Sequence, residues 1–166
     1  MTVRPIRLFG DPVLRTECDP VTSFDKELRD LVADLEDTVR VPGRAGVAAP
    51  QIGVSLRVFS YNVSGQVGHL VNPVLSGFDG EQDDEEACLS LPGLGFPTRR
   101  ALSVTARGFD QHGEPLVIEG TGFLARALQH ETDHLSGTLY IDTLKGEVRR
   151  QALRELRRIA PAPQGR

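Results

Sequence analysis

The chain has 166 residues, 39% of them hydrophobic and 25% charged, with a formal net charge of −4. That is the make-up of one soluble globular domain with a real core, and the acidic balance argues against a general nucleic-acid binder, DNA included. The uncharged run AGVAAPQIGVSL (45–56) is too short and too rich in Gly, Pro and Gln to cross a membrane, and the N-terminus MTVRPIRLFGDPVLR lacks the apolar core of a signal peptide.

Two cysteines, Cys18 and Cys88, could form one disulfide, but a domain of this size does not need that staple, so the cytoplasm with both thiols reduced is the expected compartment. Basic residues divide into 17 Arg and 2 Lys, a bias that suggests a bacterial, GC-rich genome and says nothing of mechanism.

In chain order, Phe24, Leu28, Leu31, Val32, Leu35 and Val39 recur at helical spacing behind Thr22 or Ser23 as a cap, and Pro42 and Gly43 end the helix. Strand-like runs follow at LRVFSYNV (56–63), HLVNPVL (69–75), LSVTARGFD (102–110) and PLVIEG (115–120), separated by turn signals such as DGEQDD and DQHGEP. Two further segments read less regularly: GVAAPQIG (46–53) alone is a loop of small residues, and CLSLP (88–92) is strand-like.

Helical spacing returns in GTGFLARALQHETDHLSG, with Thr121 as a cap and Gly137 as a stop. A basic tail helix covers about 145–160, with Val148, Ala152, Leu156 and Ile159 as its apolar stripe, and a loose end follows at 161–166. Seven basic and two acidic residues fall between Lys145 and Arg166, so this segment carries +5 and the remainder −9. A docked helix with a solvated basic side accounts for this pattern. The fold expected is α+β in a single domain over 1–166: antiparallel or mixed sheets around the central helix, an N-terminal helix and a basic C-terminal one.

Half of the four histidines lie in QHETDH (129–134). Residues four apart on a helix stack on one face, so His130 and His134 can point at one ion, and Glu131 then sits beside it, placed to take a proton from an activated water. Catalytic sites of this type take three protein ligands. A third histidine in the frame H-E-x-x-H-x-x-G-x-x-H is not offered, because that frame reaches Gly137 and then Tyr140. Glu155, on the tail helix, would complete a zinc-endopeptidase site, although it equally suits a surface charge between Arg154 and Arg158. Cys88, following the acid run DDEE and preceding a Pro-Gly turn, is the better third ligand.

Taken together, GVAAPQ (46–51), EACLS (86–90) and QHETDH (129–134) resemble, in order and spacing, the G-x-G-x-A-A-x-Q, E-G-C-L-S and H-E-x-D-H motifs of the peptide deformylases. The likeness covers roughly 5–143 and includes DPVLR, VNPVL and GFLARALQHE. It implies an enzyme that removes the N-formyl group from the formyl-methionine terminus of new polypeptides and releases formate. Its metal ligands would be Cys88, His130 and His134, its general base and acid Glu131. The Gln51 amide and the Leu89 backbone N–H would face the developing oxyanion, and Gly46 would lie against the substrate backbone. The resemblance further implies Fe2+, with Zn2+, Ni2+ or Co2+ able to replace it, since a thiolate with two imidazoles does not choose among them. It also implies nascent peptides as substrates and a ribosome contact through the C-terminal helix. A non-catalytic, metal-bound relative that binds peptides or the ribosome is the other alternative; the presence of all five chemical groups counts against it.

Two positions depart from the motifs. Arg44 stands where the first motif has its leading glycine, and Ala87 where the second has its own. A negative φ with strand geometry is expected at Ala87. Asp133 is expected either to pair with Arg99 or Arg100 or to be solvated.

Overall fold

The computed structural model describes residues 2–159; the expected loose end at 161–166 lies outside them. Helix α1 spans Lys26–Val39. Its cap is Asp25, whose carboxylate accepts the Leu28 N–H at 3.1 Å, so neither Thr22 nor Ser23 takes that part and Phe24 stays outside the helix. Leu28, Leu31, Val32, Leu35 and Val39 are all buried, as their spacing predicts.

Five antiparallel strands form the main sheet in the order β1 (Gly46–Ala48), β2 (Val58–Val63), β3 (Gln66–Asp79), β6 (Ser103–Phe109) and β7 (Pro115–Thr121). The short strands β4 (Glu85–Glu86) and β5 (Phe96–Pro97) pair separately. The segment GVAAPQIG is therefore not a plain loop: it supplies edge strand β1 and a 3-10 turn over Ala49–Ile52. The tight β2–β3 connection uses Ser64 and Gly65 at φ 54° and 77°, and this two-residue turn extends β3 beyond the run visible in the sequence. Asn72 also takes a positive φ, at a register shift in β3, while its side chain bonds both backbone groups of Val21 at 2.9 Å.

Alternation along β1, β2 and β3 sorts their side chains onto two faces. Val47, Val58 and Val71 pack on α1, whereas Ala48, Phe59 and Leu70 pack with Ala125, Leu128 and Leu135 of α2 and its C-terminal turn. Helix α2 (Phe123–His134) thus lies across the sheet from α1. Its N-cap is Gly122 at φ 60°; Thr121 remains in β7, its hydroxyl turned to the Leu102 carbonyl. The chain leaves α2 through Gly137 at φ 72°, where a Cβ would stand 2.9 Å from the Arg15 backbone.

CLSLP is a sequence of turns, not a strand, with Leu91 N–H on the Cys88 carbonyl at 3.0 Å. Its apolar alternation has another cause. Leu89 packs with the α1 cluster and Leu91 with a third cluster built from Cys88, Phe96, Leu139, Tyr140 and the tail helix. That tail helix, α3 (Gly146–Ile159), buries Ala152 and Leu156, while Ile159 is 37% exposed and does not extend the stripe. The expected α+β architecture, with helices at both ends and an antiparallel sheet about a central helix, is what the chain adopts.

Candidate metal centre and active site

Helix α2 directs His130, Glu131 and His134 inward, all buried, because its opposite side is held to the sheet by Ala125 and Leu128. Cys88, from the turn after β4, reaches the same point. Its Sγ is 3.4 Å from His134 Nε2, and one ligand atom from each of Cys88, His130 and His134 lies within 4.8 Å of the others. This is the only such group of three or more His, Cys, Asp or Glu among the described residues, and Glu155 is not in it. Glu155 instead sits 4.0 Å from Arg158 on the α3 surface.

Sulfur and imidazole donors this close suit a transition-metal ion. His130 Nδ1 donates to Glu86 Oε2 at 2.7 Å, which orients the ring and leaves Nε2 for ligation. Tyr140, where the longer histidine frame breaks off, stacks on the His130 ring with centroids 6.0 Å apart. The residues fit a bound cation.

The surrounding charges push the ionisable groups apart. Burial raises the Glu131 carboxyl to about 7. Burial works to raise Glu86 too, but hydrogen bonds from His130 and Arg100 hold it at about 2. Burial would lower His130, yet Glu131, Cys88 and Glu86 hold it well above the usual histidine value; the ring must lose that proton to ligate a cation. His134, buried and beside His130, is pushed well below.

Glu86 is a central site residue that the sequence reading passed over as one acid of a block. Of the four acids in DDEE only Glu86 is buried, and it receives Arg100, Arg126 and His130. Its place two residues before Cys88, inside the same short motif, was the available signal. Arg100 also pairs with Asp133 at 2.7 Å, while Arg99 turns outward to Glu81.

A cavity of about 440 Å³ opens over the cluster, lined by Gly46, Gln51, Cys88, Leu89, His130 and Glu131 among others. Gln51 is fixed at both ends: Oε1 accepts the Ala48 N–H at 3.0 Å, and Nε2 donates to Ser90 Oγ at 3.1 Å with Cys88 Sγ at 3.7 Å. The Leu89 amide donates to no acceptor among the described residues. Gly46 has two uses. The Asn62 N–H bonds to the Ala45 carbonyl, which makes 45/62 and 47/60 the hydrogen-bonded pairs and turns the Gly46 N–H and C=O to the open edge of β1. Its missing side chain also makes room for Glu131, whose Cδ and Cγ would lie 2.7 and 2.8 Å from a Cβ there. Ala87 lines the cavity with a φ that is not positive, as expected, although β4 ends one residue before it.

The polypeptide deformylase family model matches residues 3–150. The chain is 59% identical over 157 residues to a peptide deformylase of Acidothermus cellulolyticus, covering 95% of this chain and 87% of that one, and 58% identical to one from Parafrankia sp. over the same shares. Among solved structures it superposes on a peptide deformylase from Legionella pneumophila (TM-score 0.87, 40% identity, 95% of each chain). The Thermus thermophilus enzyme gives a TM-score of 0.88 at 39% identity, over 94% of each chain. With fold, motifs and site geometry in agreement, the chain belongs to the polypeptide deformylase family and is an enzyme that removes the formyl group from nascent peptides.

Proposed function

We propose that Cys88, His130 and His134 hold a divalent metal, Fe2+ in the cell, and that Glu131, Gln51, Leu89 and Gly46 carry out the hydrolysis around it. The observation that carries this reading is the convergence of three ligand atoms within 4.8 Å beside a buried carboxyl raised to about 7. A bound cation supplies Lewis acidity, polarising the formyl carbonyl and making water acidic enough to attack at neutral pH.

The protein's own groups do the rest. The formylated terminus lies along β1 as an added strand, bonding the outward Gly46 N–H and C=O. Glu131 takes a proton from the attacking water as the new C–O bond forms and gives it to the departing nitrogen as C–N breaks, leaving formate and a free amine. The Leu89 N–H, and one Gln51 Nε2 hydrogen released from its long contact to Cys88 Sγ, donate to the carbonyl oxygen as it gains charge. Substrates are N-formyl-methionyl nascent peptides and the compartment is the cytoplasm; among the described residues no helix is long and apolar enough to cross a membrane. The exposed basic face of α3 touches ribosomal RNA.

Metal content of purified variants tests the assignment. Cys88→Ser, His130→Ala and His134→Ala should lose the ion, Glu155→Ala should keep it, and Glu131→Ala should keep it while losing turnover. A Cys88→Ser protein that retains one ion per chain as tightly as the parent removes Cys88 from the ligand set. The iron form should lose activity in air while nickel and cobalt forms keep it; equal air stability of all three contradicts iron.

A further inference from the structure

Building on the reading that Cys88, His130 and His134 hold the metal, we infer that Arg126 is a positioning residue for that ion, acting through Glu86. Arg126 lies four residues before His130 on α2, so the two side chains leave the same helix face and meet the Glu86 carboxylate of β4. Oε1 accepts from Arg126 Nη1 at 2.7 Å and Arg100 Nε at 3.0 Å, whereas Oε2 accepts from Arg100 Nη2 and His130 Nδ1, each at 2.7 Å. A carboxylate offers about four acceptor sites. All are filled, which fixes its plane and with it the His130 ring. Without Arg126, Oε1 keeps only the longer bond from Arg100, and Arg100 is also drawn outward by Asp133 at 2.7 Å.

The environment of Arg126 argues against a role in the fold alone. The residue is 5% exposed, its Nε reaches Gln82 Oε1 at 3.3 Å, and its Nη2 has no hydrogen-bond partner among the described residues. A buried donor without a partner is destabilising, and a well-packed apolar side chain in place of a buried charge is often neutral or stabilising. Such a replacement would not leave Glu86 bare, because Arg100 and His130 remain. A second buried guanidinium is thus explained by what it does to Glu86 and, through Glu86, to a metal ligand.

The test follows release of bound Co2+ from the full-length protein to excess chelator, by the decay of the cobalt–thiolate absorption. Arg126→Met should release the ion on the order of 10-fold faster than the parent, as loss of outer partners of a metal ligand typically does. The melting temperature of its metal-free form should be equal or higher. Arg126→Lys, which keeps a cationic donor for Oε1, should return release to within about twofold of the parent. In a Glu86→Gln background, where release is already fast, Arg126→Met should add nothing. Parental release from Arg126→Met overturns the inference, as does equal acceleration in both backgrounds. If Arg126→Met does not fold, Arg126→Gln, too short to keep the bond to Oε1, carries the same expectations. A parent that takes up no stoichiometric Co2+ defeats the metal-site reading itself; a parent and variant that hold it equally defeat only the role of Arg126.

Discussion

Glu131 and Glu86 flank His130 and are shifted in opposite directions, so they respond oppositely to pH. Glu131 is raised to about 7 from 4.5, so the metal-free fold favours its neutral form, and the stability this contributes is full below pH 4.5 and lost as pH rises through 7. The span of that loss is on the order of 3 kcal/mol. Glu86, lowered to about 2, does the reverse: its contribution is present above pH 4.5 and lost as pH falls toward 2. Metal-free Glu131→Gln should therefore melt above the parent at pH 8 and match it near pH 4; a difference that does not vary with pH contradicts the assigned shift. In the metal-loaded enzyme, Glu131→Ala should reduce kcat by ~10²–10⁴-fold. Gly46→Ala probes the same carboxyl from the backbone side. A Cβ there would overlap the Glu131 carboxylate, so turnover should fall by roughly tenfold or more, as for a small misplacement of a reacting group, with metal content unchanged. Parental turnover would show that Glu131 has room to move.

At the scale of elements, α3 separates into a docked side and a free one. Ala152 and Leu156 pack into the cluster that also contains Cys88, so deleting the helix would disturb the proposed metal site as well. Charge reversal on the outer face is the cleaner probe. Arg150 and Arg154 pair with Glu147 and Arg158 with Glu155, whereas Arg149 and Arg157 have no ion-pair partner among the described residues. Replacing Arg149 and Arg157 by Glu should weaken salt-sensitive co-sedimentation with ribosomes and leave hydrolysis of a short formyl-peptide unchanged. Undiminished co-sedimentation would leave α3 a docking helix only. Strand β1 was the element hardest to read, because Gly46 and Ala48 disfavour strands and Val47 alone is too short a signal to mark one. It exists because Asn62 to Phe59 of β2 offer it a ladder and Val47 fits under α1.

Across the whole molecule, the site joins parts distant in sequence. Cys88 packs with α3, Gln51 follows β1 beneath α1, and the histidines ride on α2. A bound ion thus links the 88–90 turn to α2, and removing it should lower the melting temperature by on the order of 10 °C if the ion is present near a thousand times its Kd. An unchanged melting temperature would mean no such link. The three proposed ligands stood out in the sequence because each lies in a short motif whose spacing is set by a helix turn or a single loop. Glu86 did not stand out in the sequence, because its partners Arg100, Arg126 and His130 lie 14, 40 and 44 residues away and only the fold brings Arg100 and α2 to β4. The α1 cap was missed for a more local reason, since Thr22, Ser23 and Asp25 all carry capping side chains and only the path of the chain selects among them. The central claim is that these groups form a metal-dependent deformylase centre. The most direct measurement is formate release from formyl-Met-Ala-Ser by the protein loaded with Fe2+ under anaerobic conditions. One formate per free amine formed, abolished by chelator, is expected; a protein that holds one ion per chain and releases no formate would contradict a deformylase centre here.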